Sequence, residues 1–207
     1  MKIRWSKITI FLACLIPVAR LAWRAFHHDL GANPLEVITH ATGDWTLRFL
    51  LITLAITPLR QLAKQYWLIQ HRRMLGLFAF FYGTLHLTTY LWFDKFFDWN
   101  EILHDVGKRR FITVGFLAFV LMIPLAVTST QGMIRRLGKR WTQLHRLIYV
   151  SAIAGVIHYL WLVKADKSLP LIYGGILTVL LGYRIVKRVH VARKPLSVMT
   201  LRSREPY

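Results

Sequence analysis

The sequence predicts an all-α integral membrane protein, a bundle of six transmembrane helices with both termini in the cytoplasm. Hydrophobic residues make up 55% of the 207 positions, and they are gathered into six long runs. A helix of about 20 apolar residues spans a bilayer. The predicted spans are residues 8–26, 45–63, 74–93, 111–130, 144–163 and 169–186. They leave only short connections and a tail, so residues 1–207 are predicted to form one domain.

The distribution of charge predicts the orientation. The cytoplasmic segments would contain 18 Lys and Arg and the outer segments six, whereas eight of the nine acidic residues would lie outside. Basic residues sort to the cytoplasmic side of membrane proteins. The net charge of +19 is therefore explained by contact with anionic lipid headgroups, and no nucleic-acid partner is predicted. The cytoplasmic segments are 1–7, 59–73, 131–144 and 184–207.

Two of the outer loops are predicted to contain helical structure. Asn33 and Pro34 predict the cap and first residue of a short helix in the first outer loop. Apolar residues recur at helical spacing through 94–110. This second outer loop is predicted to lie in the membrane interface, as an anchor or as a docking surface for an outer partner. No internal repeat is evident.

Three of the nine histidines fall within predicted spans, where a polar side chain is costly and usually functional. His86 lies about 18 Å along the third span and His158 about 21 Å along the fifth, at 1.5 Å per residue. Both spans run outward, so the two imidazoles are predicted to face each other at one level. Two imidazoles from different helices are a b-type heme arrangement. The single cysteine, Cys14, excludes the CxxCH attachment of heme c.

His145 suits a second heme near the inner face, about 20 Å below His158. Thirteen positions rotate a side chain about 140° out of alignment, so a bulge or bend at Gly155 is predicted. The second iron ligand is open: Arg72 stands 14 residues before His86, and His71 is next to it at the membrane edge.

Arginines provide further candidate contacts. Arg20, Arg24 and Arg48 lie in or at the ends of predicted spans. They either extend to the headgroups or bind heme propionates, and the sequence favours neither. Arg72 and Arg73 are candidates for propionates, a flavin phosphate or a quinone at the inner face, although topology alone also explains basic residues there.

Seven short motifs are distributed from the second predicted span to the fifth. They are Ile56-Thr57-Pro58-Leu59, Arg72-Arg73-Met74-Leu75-Gly76, Leu85-His86-Leu87-Thr88-Thr89-Tyr90, Thr128-Ser129-Thr130-Gln131, Leu137-Gly138-Lys139-Arg140-Trp141, Leu144-His145 and Ile157-His158-Tyr159. Together they resemble the MsrQ (YedZ) family of the ferric-reductase-like transmembrane group, to which NADPH oxidases are related. The resemblance covers nearly the whole chain.

The resemblance implies a heme-binding subunit of the bacterial inner membrane. Electrons would come from quinol or a cytosolic flavin reductase and pass to MsrP, a periplasmic molybdopterin enzyme that reduces oxidised methionine. It also implies heme b, FMN, and heme ligation by His86, His145 and His158. Arg72 stands where NADPH oxidases carry a fourth histidine. Their nicotinamide and flavin domain is missing, so the donor is expected to be a separate molecule.

The leading hypothesis is an electron conduit whose substrate chemistry lies on its partner, and two other function classes are alternatives to it. A stand-alone ferric or quinone reductase would use the same histidines. A metal or proton transporter would need carboxylates within the spans, and the sequence places none of the nine acids there.

Overall fold

The computed structural model describes residues 2–192, and the side chains of residues 5–190. Every regular element in that range is helical, which confirms the all-α prediction. A 3₁₀ helix, Tyr66–His71, precedes α3, and a π-helical turn, Thr89–Asp94, follows it. Glu205 and the rest of the predicted inner tail beyond residue 192 lie outside the described residues. The α-helices are α1 (Lys2–Phe26), α2 (Pro34–Leu62), α3 (Arg72–Thr88), α4 (Trp99–Lys108), α5 (Arg110–Val127), α6 (Gln131–Leu137), α7 (Lys139–Leu144), α8 (Leu147–Leu162) and α9 (Ser168–Ala192).

Four helical segments of the described chain are long and apolar enough to cross a membrane. They correspond to the first, third, fourth and sixth predicted spans. The second predicted span falls in α2, which carries Asp44 and Arg48, and the fifth falls in α8, which has 16 residues. At 1.5 Å per residue α8 is about 24 Å long, shorter than a bilayer core of about 30 Å. The four segments are Trp5–Phe26, Tyr66–Asp94, Arg110–Val127 and Ser168–His190.

Two predicted boundaries are wrong. Asn33 caps a helix that begins at Pro34, but this helix is not short: it continues without a break through the second predicted span to Leu62. The fifth predicted span is interrupted, because α7 ends before His145 and α8 begins at Leu147. The irregularity expected at Gly155 therefore lies at residues 145–146, and Gly155 itself is inside the regular helix α8.

The bundle is built from two helix pairs. α2 packs most extensively against α3, and α5 packs most extensively against α8. Between the pairs lies a core that includes the fully buried Leu54, Ala79 and Ala152. Small residues at such positions let helices approach closely, which is how membrane helices gain packing energy. α9 covers α2 and α8 from one side, and α1 contacts α2 and α3.

A tyrosine attaches α1 to this core. Pro17 lies inside α1, and the Tyr82 hydroxyl contacts the backbone on both sides of it. It donates to the Cys14 carbonyl at 2.8 Å and accepts from the Val18 amide at 3.1 Å. These two groups are four residues apart, the spacing of one backbone hydrogen bond of an α-helix. Tyr82 thus gives both groups a side-chain partner beside the proline, and it is only 1% exposed.

We expect Tyr82→Phe to lower the free energy of unfolding by about 0.5–2 kcal/mol, the range for one buried hydrogen bond between membrane helices. Unfolding in mixed micelles with increasing dodecyl sulfate measures the change. Tyr66→Phe is the matched control, because Tyr66 is 71% exposed. Equal losses in the two variants would contradict the role given to Tyr82.

Candidate functional site

A cavity of about 330 Å³ lies between α2, α3, α5 and α8. Its size falls in the range of small-molecule sites. Most of its wall is apolar, and examples are Leu47, Phe119 and Met122. His86 of α3 and His158 of α8 both line this cavity. An apolar cavity with a few converging polar groups is typical of a binding site within a helix bundle.

The two imidazoles are neighbours. Their ring centroids are 6.1 Å apart, and the ring planes make an angle of 76°. The prediction that both histidines reach one level is therefore confirmed. The Nδ1 atom of each ring lies close to a backbone carbonyl. Nδ1 of His86 is 2.9 Å from the Thr39 carbonyl oxygen, and Nδ1 of His158 is 2.6 Å from the Phe111 carbonyl oxygen. A carbonyl can only accept, so both Nδ1 atoms carry the hydrogen and both Nε2 atoms keep a free lone pair.

Glycines make these hydrogen bonds sterically feasible. Gly43 follows Thr39 by one helical turn, and Gly115 follows Phe111 in the same way. A Cβ on Gly43 would stand 3.0 Å from His86 Cε1, and a Cβ on Gly115 only 2.6 Å from His158 Nδ1. Any larger residue would occupy the space of the imidazole. Sequence reasoning missed both glycines, although each stands four residues after the carbonyl that its histidine uses.

The two helix pairs repeat one another, which corrects the expectation that the chain has no internal repeat. Phe111 follows Thr39 by 72 residues, Gly115 follows Gly43 by 72, and His158 follows His86 by 72. The same offset relates other residues around the cavity, such as Gly83 and Gly155 or Leu47 and Phe119. Side-chain identity is kept only at the glycines and histidines among these pairs. The repeat was invisible as sequence similarity and becomes evident only from the contacts.

This arrangement fits an iron porphyrin. Two imidazoles on opposite sides of one iron, with metal–nitrogen bonds of about 2 Å, have ring centroids about 6 Å apart. The Nδ1–H bonds to carbonyls fix each ring for coordination through Nε2. No group of three or more His, Cys, Asp or Glu side chains able to hold a metal occurs among the described residues. Two imidazoles suit a metal whose other ligands come from a macrocycle, rather than a tetrahedral zinc site.

An ion-pair network lies at one end of the cavity, where Asp94 and Arg109 line it. Asp105 forms ion pairs with Lys95 at 2.9 Å and with Arg109 at 3.2 Å, and Lys95 also pairs with Glu101. Burial alone would raise the pKa of Asp105, but the hydrogen bond from Lys95 and the charge of Arg109 outweigh it and hold that pKa below its usual value. Neither cation was a predicted site residue. Their spacing from Asp105, with Arg109 at i+4, was a usable signal.

The five arginines proposed from sequence lie elsewhere. Arg48 donates to Tyr173 Oη at 2.8 Å and pairs with Asp44 at 3.4 Å. Arg24 bonds the Asp29 carbonyl at 2.8 Å. None of the five is in the cavity wall, and their propionate, flavin or quinone contacts stay predictions. Asp44 does line the cavity, inside α2, so an acid is nearer to the histidines than expected. Of the other three predicted arginines, Arg20 and Arg73 are exposed and Arg72 is half-buried.

The inner histidines are separated from this pair. His145 stacks on Trp141 with centroids 3.9 Å apart, and its Nε2 is buried without a partner. His71 is 1% exposed, and neither of its ring nitrogens has a partner. No ring contact joins His71 and His145 among the described side chains. Buried unpaired nitrogens cost free energy, so both rings are candidates for a further ligand.

Known proteins similar to this chain were found by family and by individual sequence. A family model described as ferric reductase like transmembrane component matches residues 41–156, which include His86 and His145 and stop two residues before His158. Three relatives named protein-methionine-sulfoxide reductase heme-binding subunit MsrQ are similar over most of their length. The relative from Herminiimonas arsenicoxydans is 61% identical over 182 residues, 86% of this chain and 84% of its own.

The other two relatives are 52% identical. The protein from Azospira oryzae aligns over 187 residues, 89% of this chain and 80% of its own. The protein from Rhodospirillum rubrum aligns over 191 residues, 92% of each chain. No solved structure matches.

We expect Gly115→Ala to displace the His158 ring and to reduce the heme bound per protein severalfold. Gly43→Ala should have a smaller effect, because its added Cβ is 3.0 Å from the nearest ring atom rather than 2.6 Å. The Soret absorbance of purified protein, relative to protein concentration, measures heme content. Gly175→Ala is the control, since nothing lies within 4 Å of a Cβ there. Normal heme content in Gly115→Ala would contradict the close approach of the His158 ring to Gly115.

Proposed function

Because the chain belongs to the MsrQ group of the ferric reductase-like transmembrane family, we propose that it is a heme b subunit that carries electrons across the membrane. The observation that supports this function is the His86–His158 pair, 6.1 Å between ring centroids inside an apolar cavity. Bound heme b supplies one-electron chemistry of iron. His86 and His158 would hold the iron through Nε2, and the chain would also supply fixed tautomers and apolar walls.

The residues around the pair have separate roles. Thr39 and Phe111 orient the imidazoles through their carbonyls, and Gly43 and Gly115 leave room for the rings. The apolar wall would limit solvent access and lower the local dielectric around a bound heme, and both affect its redox potential. Arg109, at the outer end, is placed to meet a carboxylate of the bound group.

A second heme is proposed near the inner face. His145 would bind its iron, and its unpaired Nε2 supports this role. His71 is the candidate for the other ligand, because its ring is buried and both of its nitrogens are unpaired. Arg72 remains a candidate for a propionate. One heme above the other would give electrons a route from the inner to the outer face.

The membrane arrangement proposed is six spans with both termini in the cytoplasm of the bacterial inner membrane. The four apolar segments support it, and α2 and α8 would provide the remaining two crossings. α8 places His158 in the cavity between α2, α3 and α5, so it must share their depth. The excess of Lys and Arg in the inner segments supports the orientation.

The proposed partners follow from the relatives' names and the family. A periplasmic MsrP-like molybdopterin subunit would receive the electrons and reduce methionine sulfoxide in oxidised proteins. Quinol or a cytosolic flavin reductase would supply them, with FMN as a further cofactor. The alternative is a stand-alone ferric or quinone reductase. Mixing the dithionite-reduced protein anaerobically with ferric citrate, a quinone or the purified periplasmic subunit separates these functions, because only the physiological acceptor should reoxidise it rapidly.

We expect His86→Ala and His158→Ala each to abolish the outer heme, because neither ring alone completes the axial pair. The measurement is a reduced-minus-oxidised spectrum of detergent-purified protein, in which low-spin heme b gives a narrow α band. Heme stoichiometry then distinguishes one site from two. His104→Ala, at an exposed histidine of α4, serves as the control. Full heme content in both cavity variants would rule out the assignment.

A further inference from the structure

A second cavity, of about 490 Å³, opens between the C-terminal end of α2, α8 and the later part of α9. Thr57 and Gln61 line it from α2, Tyr149 from α8, and Tyr183, Arg184 and Lys187 from α9. It shares no residue with the wall of the histidine cavity. We propose that this cavity binds a phosphate group.

The first argument is uncompensated positive charge. Arg184, Lys187 and Arg188 line the cavity, and Arg60 and Arg184 are near enough to Arg72 for their charges to act on it. Within residues 5–190 no carboxylate forms an ion pair with any of these five cations. Arg60, Arg72 and Arg184 are half-buried, and partly buried like charges are costly unless an anion compensates them. An anion at this position would remove that cost.

The second argument is a set of buried polar atoms with no partner. Arg184 Nε, Arg60 Nε and Thr57 Oγ1 are all buried without a hydrogen bond. Such atoms are rare in folded proteins, and an absent ligand is a common reason for them. Arg184 and Thr57 line the cavity itself, so two of the three unpaired donors belong to its wall.

The third argument is preorganisation. Arg184 donates to Tyr149 Oη at 3.2 Å and to the Leu54 carbonyl, and its guanidinium lies 5.3 Å from the centroid of the Tyr149 ring. Gln61 Oε1 accepts from Tyr183 Oη at 2.9 Å and from Lys187 Nζ. These contacts hold the donors in place before any ligand arrives, which lowers the entropy cost of binding.

A phosphate matches this donor set better than a carboxylate does. A phosphate offers more acceptor oxygens and up to two charges, and the cavity presents a guanidinium and an ammonium from α9 and a hydroxyl from α2. In the proposed topology this end of α9 is cytoplasmic, where basic pockets between membrane helices bind phospholipid headgroups. The same chemistry would hold the phosphate of a soluble nucleotide. Phosphate binding here does not depend on heme ligation. An experiment can therefore disprove it without affecting the proposed electron transfer.

Two binding measurements on the full-length, heme-loaded protein distinguish the sources. In the lipid measurement, phosphatidylcholine nanodiscs receive increasing phosphatidylglycerol, and native mass spectrometry counts retained anionic lipid. In the soluble measurement, FMN and riboflavin are titrated separately, and quenching of flavin fluorescence reports binding; the two differ only by the phosphate. The variants are Arg184→Gln and Lys187→Gln. Arg140→Gln, at an exposed inner cation outside both cavities, is the matched control.

We expect about a tenfold loss of affinity in both cavity variants, the effect of one charge-assisted hydrogen bond. A loss confined to phosphatidylglycerol identifies a lipid headgroup, and a loss for FMN but not riboflavin identifies a nucleotide phosphate. The proposal is overturned if neither measurement changes, or if Arg140→Gln has the same effect. It is also overturned if Lys187→Gln, on an exposed side chain, releases heme instead, since the anion would then be a heme carboxylate.

Discussion

The site depends on one interaction that occurs twice, an imidazole that donates its Nδ1–H to a carbonyl of the neighbouring helix. His86 reaches Thr39 O and His158 reaches Phe111 O. A carbonyl can only accept, so each bond fixes the tautomer as well as the ring. Gly43 and Gly115 leave room for the rings. Helix rise brings the two rings to one level, and these bonds decide that each ring keeps its Nε2 free.

The repetition of this interaction gives the cavity an approximate two-fold arrangement. Equivalent positions, 72 residues apart, line it from the α2–α3 pair and from the α5–α8 pair. In the proposed function, these two halves would face the two sides of a porphyrin. The two ends of the bundle differ more. Acids compensate Lys95 and Arg109 at one end, whereas Arg184 and Lys187 at the other have no described acidic partner.

Local features were predictable where a fixed helical geometry governs them. The rise of 1.5 Å per residue places His86 and His158 at comparable heights once both helices are recognised, and the 6.1 Å ring separation agrees. The interruption at His145 was not predictable in the same way. Trp141 donates from Nε1 to the Thr128 carbonyl at 3.0 Å, a contact between two helices, and this contact ties α7 to the end of α5.

The sequence by itself determined the helical class, the apolar segments and the two central histidines, because hydrophobicity and spacing along one helix are local properties. Only the tertiary structure decided which carbonyl each imidazole meets and which glycine faces it, since Thr39 and His86 are 47 residues apart in the chain. It also decided that Arg48 donates to Tyr173 of α9 while Arg109 reaches the cavity. The rotation of one helix against another depends on how all their side chains pack, and no single helix contains that information.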